Sequence, residues 1–409
     1  MKAYSIRENC KVNTNKDEDT FVGINCDSDG ISIHFPLGYR ISDDEKELRK
    51  DILLMINSIS ITTAKKDSEL FEDLKEYNQT AFPFHAYISV IYDFLSRGYY
   101  KERETIYSTA KKGKINWSKT IKNQKAFVQD GEVFYLDFVT RKSSLKENEL
   151  ITLIHEYCVY ESFIKIGWLF TNTIPSKPRL KYNEKLFKSV LIKKMSHTFN
   201  DKNKSLFRNM LAIIDYQGNF DSNPYYRYGT YRFEYVWEAL IDKAFGIRDK
   251  EKYFPKTIWT INGRRHDNAC LEPDTIMIWN NDVYVLDAKY YKYGYTHYVG
   301  DLPESSSINK QITYGEYIAE NEKFKKLHGD NMTVFNAFLM PVDSKAFAGH
   351  NEFLLYAGEA NSNWKDNLKL YHRIQGIMID TKFLMSIATF QDAGEIMKLA
   401  DFIQECVGK

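Results

Sequence analysis

"EPDTIMIWNNDVYVLDAKYYKYG", residues 272–294, contains two short apolar runs joined by Asn280-Asn281. Two apolar, strand-like runs on either side of this pair predict an antiparallel β-hairpin. Charged residues stand at its open end, because Asp274 begins the first run and Asp287 and Lys289 end the second. Charged groups on a buried hairpin are costly unless they are paired, hydrogen-bonded or bound to a metal. The stretch therefore predicts a site with a chemical role.

Two hairpin registers bring these three residues together. With the turn at Asn280-Asn281, Asp274 faces Asp287, and with the turn one residue later it faces Lys289. Both registers form one cluster, because alternate residues of a strand share a face. Two carboxylates that close repel each other unless a cation lies between them, and oxygen ligands favour Mg²⁺, with Mn²⁺ as an alternative. The cluster suits phosphodiester hydrolysis, and the alternative interpretation is an ion pair that only stabilises the hairpin.

Predicted helices on either side of the hairpin carry further candidates. "YRFEYVWEALIDKAFG" (231–246) places Glu234 and Glu238 on one helical face, and either can supply one more carboxylate. "SINKQITYGEYIAE" (307–320) places Gln311 and Tyr314 one turn apart. The amide is a candidate for orienting water or phosphate, whereas the phenol is a better candidate for the core.

"Pro273-Asp274 … Asp287-Ala288-Lys289" resembles the PD-(D/E)XK nuclease superfamily, with Asp at the second acidic position. Glu238 resembles the upstream acidic residue of that superfamily, and Gln311 the glutamine of its following helix. The resemblance implies that Asp274, Asp287 and Glu238 hold Mg²⁺ and that Lys289 and Gln311 act in catalysis with them. The fold it implies is α/β (α+β), with a C-terminal restriction-endonuclease-like domain whose mixed central sheet is flanked by helices. An N-terminal mixed α/β region precedes that domain.

Four stretches, 32–42, 113–122, 149–170 and 233–246, are similar to LlaJI-type restriction endonucleases and the related McrC subunits. This resemblance implies a type II-like restriction endonuclease that cleaves double-stranded DNA, with Mg²⁺ as cofactor, to 5′-phosphate and 3′-hydroxyl ends. It implies a place in a restriction-modification (phage defence) system with a cognate DNA methyltransferase in the same operon. An McrB-like AAA+ GTPase subunit is a candidate partner, and the chain itself has no G-x-x-x-x-G-K-[ST] motif for a nucleotide.

Two alternatives to that function stay open. One is a non-cleaving subunit that binds DNA or stimulates the AAA+ GTPase, with a purely structural acidic cluster. The other is a structure-specific nuclease such as a junction resolvase. Cutting both strands needs two active sites or sequential nicking, which makes a homo-oligomer plausible.

Basic residues predict two DNA-contact surfaces, for which the alternative is an ordinary solvated face. The first surface consists of Lys111, Lys112, Lys114, Trp117 and Lys119. The second consists of Arg264 and Arg265, predicted to lie in the loop before Asp274.

Length and composition bound the remaining expectations. The chain has 409 residues with 43% hydrophobic and 15% aromatic residues and a formal net charge of +1, which indicates globular domains. We expect an N-terminal DNA-recognition or partner-docking region (1–175), a linker with the start of a basic helix (176–204) and the nuclease domain (205–409). Five scattered cysteines without a C-x-x-C pair fit a reducing cytoplasm. The sequence shows neither a signal peptide nor a membrane-spanning apolar run.

Overall fold

The computed structural model describes residues 6–16, 19–63, 82–146, 149–171, 173–219, 225–348, 352–366 and 368–407. The chain divides into two compact units. Unit 1 consists of residues 1–80 together with 225–409, and unit 2 consists of residues 81–224. The predicted hairpin of residues 272–294 lies in unit 1.

The strands within the described ranges, in chain order, are β1 (Cys10–Val12), β2 (Val22–Asp27), β3 (Gly30–Phe35), β4 (Glu102–Ala110), β5 (Lys114–Ile115), β6 (Ala126–Gln129), β7 (Glu132–Tyr135), β8 (Phe138–Lys146), β9 (Tyr226–Thr230), β10 (Lys256–Ile261), β11 (Arg264–Cys270), β12 (Thr275–Trp279), β13 (Asp282–Ala288), β14 (Val334–Val342), β15 (Leu354–Ala360) and β16 (Ile374–Asp380).

The α-helices of the same ranges are α1 (Glu45–Thr63), α2 (Phe84–Arg97), α3 (Trp117–Asn123), α4 (Leu150–Ile166), α5 (Glu184–His197), α6 (Asp201–Asn219), α7 (Phe233–Phe245), α8 (Tyr293–Thr296), α9 (Ser305–Glu320), α10 (Glu322–His328), α11 (Ser344–Ala348), α12 (Thr381–Ile387) and α13 (Ala393–Cys406).

The central sheet of unit 1 has five strands in the order β12-β13-β14-β16-β15. The pairs β13/β14 and β14/β16 are parallel, whereas β12/β13 and β15/β16 are antiparallel. Val283 and Val285 of β13 pack in one apolar cluster with Tyr314 of α9. The intervening Tyr284 accepts a hydrogen bond from Gln404 of α13, at 2.6 Å. Helices therefore cover both faces of a mixed sheet.

The hairpin of β12 and β13 has the first of the two predicted registers. Trp279 pairs with Asp282, so Asn280 and Asn281 form the two-residue turn, with φ of 50° and 72°. Asparagine tolerates this left-handed region, which a type I′ turn requires at both positions. The alternative register, with the turn one residue later, is wrong.

A second sheet of unit 1 joins distant parts of the chain. Its order is β1-β3-β2-β9, and β9 pairs antiparallel with β2, Val22 opposite Thr230. Helix α1 packs against α7 in the same unit. The described residues 6–16 and 19–63 therefore belong to the same unit as the central sheet, which differs from the predicted division into 1–175 and 205–409.

Unit 2 combines helices with two small sheets. Helices α2, α4, α5 and α6 pack against one another, and the sheets are β4-β8-β5 and the hairpin β6-β7. The predicted linker lies inside this unit: Tyr182 stacks on Tyr157, with ring centroids 5.7 Å apart, and donates a hydrogen bond to the Ile214 carbonyl. The predicted start of the nuclease domain, residue 205, falls within α6.

The predicted mixed α/β class is confirmed by these sheets and helices. Within the described ranges, every helix is too short or too polar to span a bilayer.

Candidate active site

Strand pairing brings Asp274 and Asp287 together. Asp274 immediately precedes β12, and the neighbouring pair is Thr275 with Leu286. The backbone N–H of Ala288 donates a hydrogen bond of 2.8 Å to Oδ2 of Asp274. The Asp274 side chain is thus attached to the end of β13, next to Asp287.

Lys289 completes the cluster. Its Nζ lies 2.6 Å from Oδ2 of Asp287, and the two side chains are 18% and 8% exposed. Phe338, which pairs with Asp287 in the parallel ladder, places its ring centroid 5.7 Å from the same nitrogen. A nearly buried ion pair is costly to desolvate and is a weak source of stability, so its presence here favours a chemical role.

Helix α7 is fixed against the same strand ends. The indole N–H of Trp237 donates to the Leu339 carbonyl at 3.1 Å, and the Lys289 backbone N–H donates to that carbonyl at 2.9 Å. Glu238 follows Trp237 directly and interacts electrostatically with Asp287. Glu234, by contrast, forms an ion pair with Arg232. These surroundings favour Glu238 over Glu234 as the third carboxylate.

The acidic residues perturb one another. Burial, and then the charge of Asp287, raise the pKa of Glu238 to about 7. Burial and the charges of Asp287 and Glu238 also raise the pKa of Asp274. Burial lowers the pKa of Lys289, but the Asp287 carboxylate outweighs it and the net pKa is raised. Crowded carboxylates of this kind are stabilised by a cation.

The donor set fits a hard divalent ion in chemistry, because all three candidate ligands are carboxylates. The three carboxylates do not form a preformed metal site. Across the described ranges, no three His, Cys, Asp or Glu side chains are grouped closely enough to hold a metal ion. Asp287 is engaged by Lys289 and Asp274 by the Ala288 amide. Ion binding would therefore require these side chains to adjust.

Gln311 of α9 lies in the core beneath the site. Its Nε2 donates to the Val285 carbonyl at 2.7 Å and to Oδ1 of Asn336 at 3.4 Å, and its buried Oε1 has no hydrogen-bond partner in the described part of the chain. Tyr314 is fully buried and donates to the Glu272 carbonyl at 3.1 Å, so it supports the segment that carries Asp274. The predicted core position of Tyr314 is confirmed.

Two lysines near the site were not singled out from the sequence. Lys250 forms an ion pair with Asp242 at 2.7 Å and donates to the Asp274 carbonyl. Nζ of Lys310 lies 5.7 Å from the centroid of the Tyr314 ring, and Lys310 interacts electrostatically with Asp287. Lys310 directly precedes Gln311, and this position was its only signal in the sequence. Lys250 lies 24 residues from Asp274 along the chain.

The first predicted DNA surface is a continuous exposed segment of unit 2. Lys111 and Lys112 follow β4, Lys114 lies in β5, and α3 carries the other two residues. In α3, Trp117 is 54% exposed with its ring edge-on to Phe138, and Lys119 lies over the Tyr107 ring.

Arg264 and Arg265 lie in a strand and not, as predicted, in a loop. They begin β11, which pairs with β10 in an exposed two-stranded ribbon. Arg265 forms an ion pair with Asp267 at 3.1 Å. At about 3.3 Å per strand residue, the turn end of the ribbon is on the order of 20 Å along β11 from its base near Asp274.

Comparison with known proteins places the chain in a family. Residues 21–355 match the model of the LlaJI restriction endonuclease family. The chain belongs to that family of restriction endonucleases, and the predicted resemblance to it is confirmed.

Two individual proteins are also similar. The type II restriction enzyme BsuMI component YdjA of Bacillus subtilis (strain 168) is 27% identical over 262 residues, which are 60% of this chain and 55% of that relative. The chain thus spans about half the length of the relative. A chain from the Thermococcus gammatolerans assembly of McrB AAA+ hexamers with bound McrC is 14% identical, with 90% of this chain and 82% of that chain covered. Its TM-score of 0.35 adds nothing to the fold assignment.

Proposed function

We propose that the chain is a Mg²⁺-dependent endonuclease that cleaves phosphodiester bonds of double-stranded DNA in a restriction-modification (phage defence) system. The products are 5′-phosphate and 3′-hydroxyl ends. The observation that carries the proposal is the cluster of Asp274 and Asp287 at adjoining strand positions, with Lys289 ion-paired to Asp287. Membership of the LlaJI restriction endonuclease family supports it.

Each residue has a distinct role in this proposal. Asp274, Asp287 and Glu238 hold the ion, Mg²⁺ or alternatively Mn²⁺, which supplies Lewis-acid activation of phosphate and water when bound. Lys289, held by Asp287, positions the attacking water and stabilises the negative charge on the oxygens of the pentacovalent transition state. Gln311 orients the attacking water, which can donate to its carbonyl oxygen, since its amide nitrogen is occupied by the sheet.

DNA contacts come from the two exposed basic surfaces. Lysines of the β4–β5–α3 segment neutralise backbone phosphates, with Trp117 packing beneath or stacking on a base. Arg264 and Arg265 contribute positive charge on the β10–β11 ribbon.

The proposal includes three partners besides DNA. They are an McrB-like AAA+ GTPase subunit, a cognate DNA methyltransferase from the same operon and further copies of this chain. The absence of a phosphate-loop motif from the sequence is consistent with nucleotide hydrolysis by a separate subunit.

Cleavage of supercoiled plasmid tests the proposal. Wild type, Asp287→Asn and Lys289→Ala are compared in Mg²⁺ and in chelator, with and without GTP and the neighbouring AAA+ subunit. Lys292→Ala, three residues from Lys289, is the matched control. Discrete fragments from wild type and Lys292→Ala alone support the nuclease, and cleavage by Asp287→Asn at the wild-type rate overturns it.

Two further assays address the two alternatives. A non-cleaving subunit would stimulate the GTPase equally well after Asp274→Asn and Asp287→Asn. A junction resolvase would cut a four-way junction in preference to linear duplex.

A further inference from the structure

A partly buried ion pair between Lys250 and Asp242 adjoins the candidate active site in unit 1. Nζ of Lys250 lies 2.7 Å from Oδ1 of Asp242, and the two side chains are 22% and 19% exposed. The same nitrogen donates a hydrogen bond to the backbone carbonyl of Asp274. The hydroxyl of Thr275 donates to Oδ1 of Asp242 at 3.4 Å. The ion pair therefore contacts both residues of the dipeptide at which strand β12 begins.

Asp242 connects that dipeptide to helix α7. It follows Glu238 by four residues, so the two carboxylates lie on the same face of the helix. Trp237 attaches α7 to β14 through the Leu339 carbonyl, and the ion pair attaches the helix to β12 about one turn later. Anchors on two different strands limit how far α7 can shift or rotate against the sheet. The ion pair thus helps to set the distance from Glu238 to Asp274.

Lys250 is itself held in place by the fold. It begins a 3₁₀ turn (Lys250–Tyr253), and Tyr253 is buried in the apolar cluster that contains Ile276 and Val285. The backbone N–H of Ile247 donates to the Ile276 carbonyl at 2.9 Å. The lysine therefore reaches Asp274 from a segment of backbone that is attached to β12.

The cost of this arrangement argues for a role other than stability. A partly buried ion pair loses hydration that the attraction between its charges only partly returns, and apolar residues of similar volume are often at least as stable in its place. The Lys250 charge also acts on the site: burial and the Asp287 charge raise the pKa of Glu238 to about 7, and the charge of Lys250 opposes them. The pair is therefore coupled to two of the three candidate Mg²⁺ ligands, Glu238 and Asp274.

We propose that Lys250 and Asp242 are positioning residues of the metal site. The pair holds the Asp274 and Glu238 carboxylates at the separation that binding of one Mg²⁺ requires, and itself touches neither the ion nor DNA. The Asp274 side chain, bound to the Ala288 amide, must adjust to receive the ion, whereas the hydrogen bond from Lys250 keeps its backbone in place. The inference rests on the proposed nuclease function.

Mn²⁺ binding to the full chain tests the inference independently of cleavage. Free Mn²⁺ is measured by electron paramagnetic resonance during titration of the DNA-free protein. Lys250→Met should weaken Mn²⁺ binding about 10-fold or more, as for groups that orient metal ligands, and raise the Mg²⁺ concentration for half-maximal plasmid cleavage by a similar factor. Lys252→Met is the matched control, because it removes an exposed ion pair with Asp249 from the same turn. Its Mn²⁺ affinity should equal that of wild type.

A double variant separates positioning from stability. Lys250→Met alone leaves Asp242 without this partner and should lower the midpoint of thermal unfolding, whereas Lys250→Met with Asp242→Leu removes both charges and should largely restore it. The inference expects the double variant still to bind Mn²⁺ about 10-fold more weakly than wild type. Wild-type affinity in the double variant would overturn the inference. Loss of folding in both variants would assign the pair to stability and overturn it likewise.

Failure of the proposed function has a different signature. Wild type would then bind Mn²⁺ no better than Asp287→Asn, and plasmid cleavage would be absent or unaffected by that substitution. The positioning role would fall with the metal site. Mn²⁺ binding that depends on Asp287 but is unchanged in the double variant would instead refute the positioning role alone and leave the metal site intact.

Discussion

Glu238 and Glu234 lie one turn apart on α7, and their surroundings give them different chemistry. Glu238 has a pKa raised to about 7 by burial and by Asp287, whereas Glu234 is paired with Arg232. We expect Glu238→Gln to lower Mg²⁺-dependent cleavage about 10-fold to 100-fold, as for groups that tune a metal site. Glu234→Gln should stay within about twofold of wild type. Initial cleavage rates over a Mg²⁺ titration measure both, and a larger loss from Glu234→Gln would reverse the assignment.

His155 of α4 predicts a pH dependence of stability in unit 2. Its Nδ1 accepts the Tyr100 backbone N–H at 2.8 Å, and burial lowers its pKa from 6.5 to about 4. Between pH 4 and pH 6.5 His155 binds a proton in the unfolded chain but not in the folded one. Its contribution to the free energy of unfolding is therefore lost as the pH falls from 6.5 towards 4. It amounts to about 2 kcal/mol between pH 7 and pH 5.

His155→Gln removes this titration while retaining an acceptor for Tyr100. Urea unfolding at pH 7 and pH 5 should therefore show a smaller loss of stability on acidification in the variant than in wild type. His34, whose pKa is likewise lowered to about 4 by burial, is unchanged in both proteins and cancels in the comparison. Equal losses in both proteins would contradict the prediction.

The sequence predicts the residues of the site where their relation is local. Asp274, Asp287 and Lys289 share one hairpin, so a two-residue period and a turn place them together. The hydrogen bond from Gln311 to Val285 spans 26 residues, and that from Lys250 to Asp274 spans 24. Such contacts depend on how α9 and the segment after α7 pack, which no local pattern specifies.

At the scale of elements, the β12–β13 hairpin depends on its turn. Asn281 has a φ of 72°, a conformation that costs most residues with a Cβ about 1–2 kcal/mol. Asn281→Ala should lower the free energy of unfolding by about 1 kcal/mol, and Asn281→Gly should leave it unchanged or slightly higher. Denaturant unfolding measures both variants, and equal stability of the two would argue against the left-handed turn.

Other elements were less accessible from sequence. A loop is predicted at Arg264 and Arg265, whereas the Asn-Gly dipeptide between the paired residues Ile261 and Arg264 is a hairpin signal that agrees with the observed β10–β11 ribbon. Strand β9 was missed because its partner, β2, precedes it by some 200 residues. Pairing over that distance leaves no signal in a short window.

At the scale of the whole molecule, the N-terminal residues contribute directly to the site's support. Tyr290 directly follows Lys289, and its hydroxyl accepts a hydrogen bond of 2.6 Å from the Leu37 N–H. The Thr381 hydroxyl donates to the Leu37 carbonyl at 2.9 Å. Lys382 also forms an ion pair with the buried Asp51 at 2.7 Å. A split of the chain into an N-terminal half and a C-terminal half therefore cuts through unit 1.

Two truncated proteins distinguish this organisation from the predicted one. Residues 205–409 alone lose the β2 partner of β9 and the α1 surface that covers α7. Residues 1–80 joined to 225–409 by a short Gly-Ser linker retain both. Residues 205–409 alone lose several kcal/mol of stabilisation by buried surface, and each kcal/mol shifts the midpoint of thermal unfolding by about 2–4 °C. We therefore expect this truncated protein to unfold roughly 10 °C below the joined protein. Calorimetry and size-exclusion chromatography measure the difference. Equal midpoints would instead support the boundary at residue 205, because the contacts of Leu37 and Asp51 would then add nothing to the stability of the central sheet.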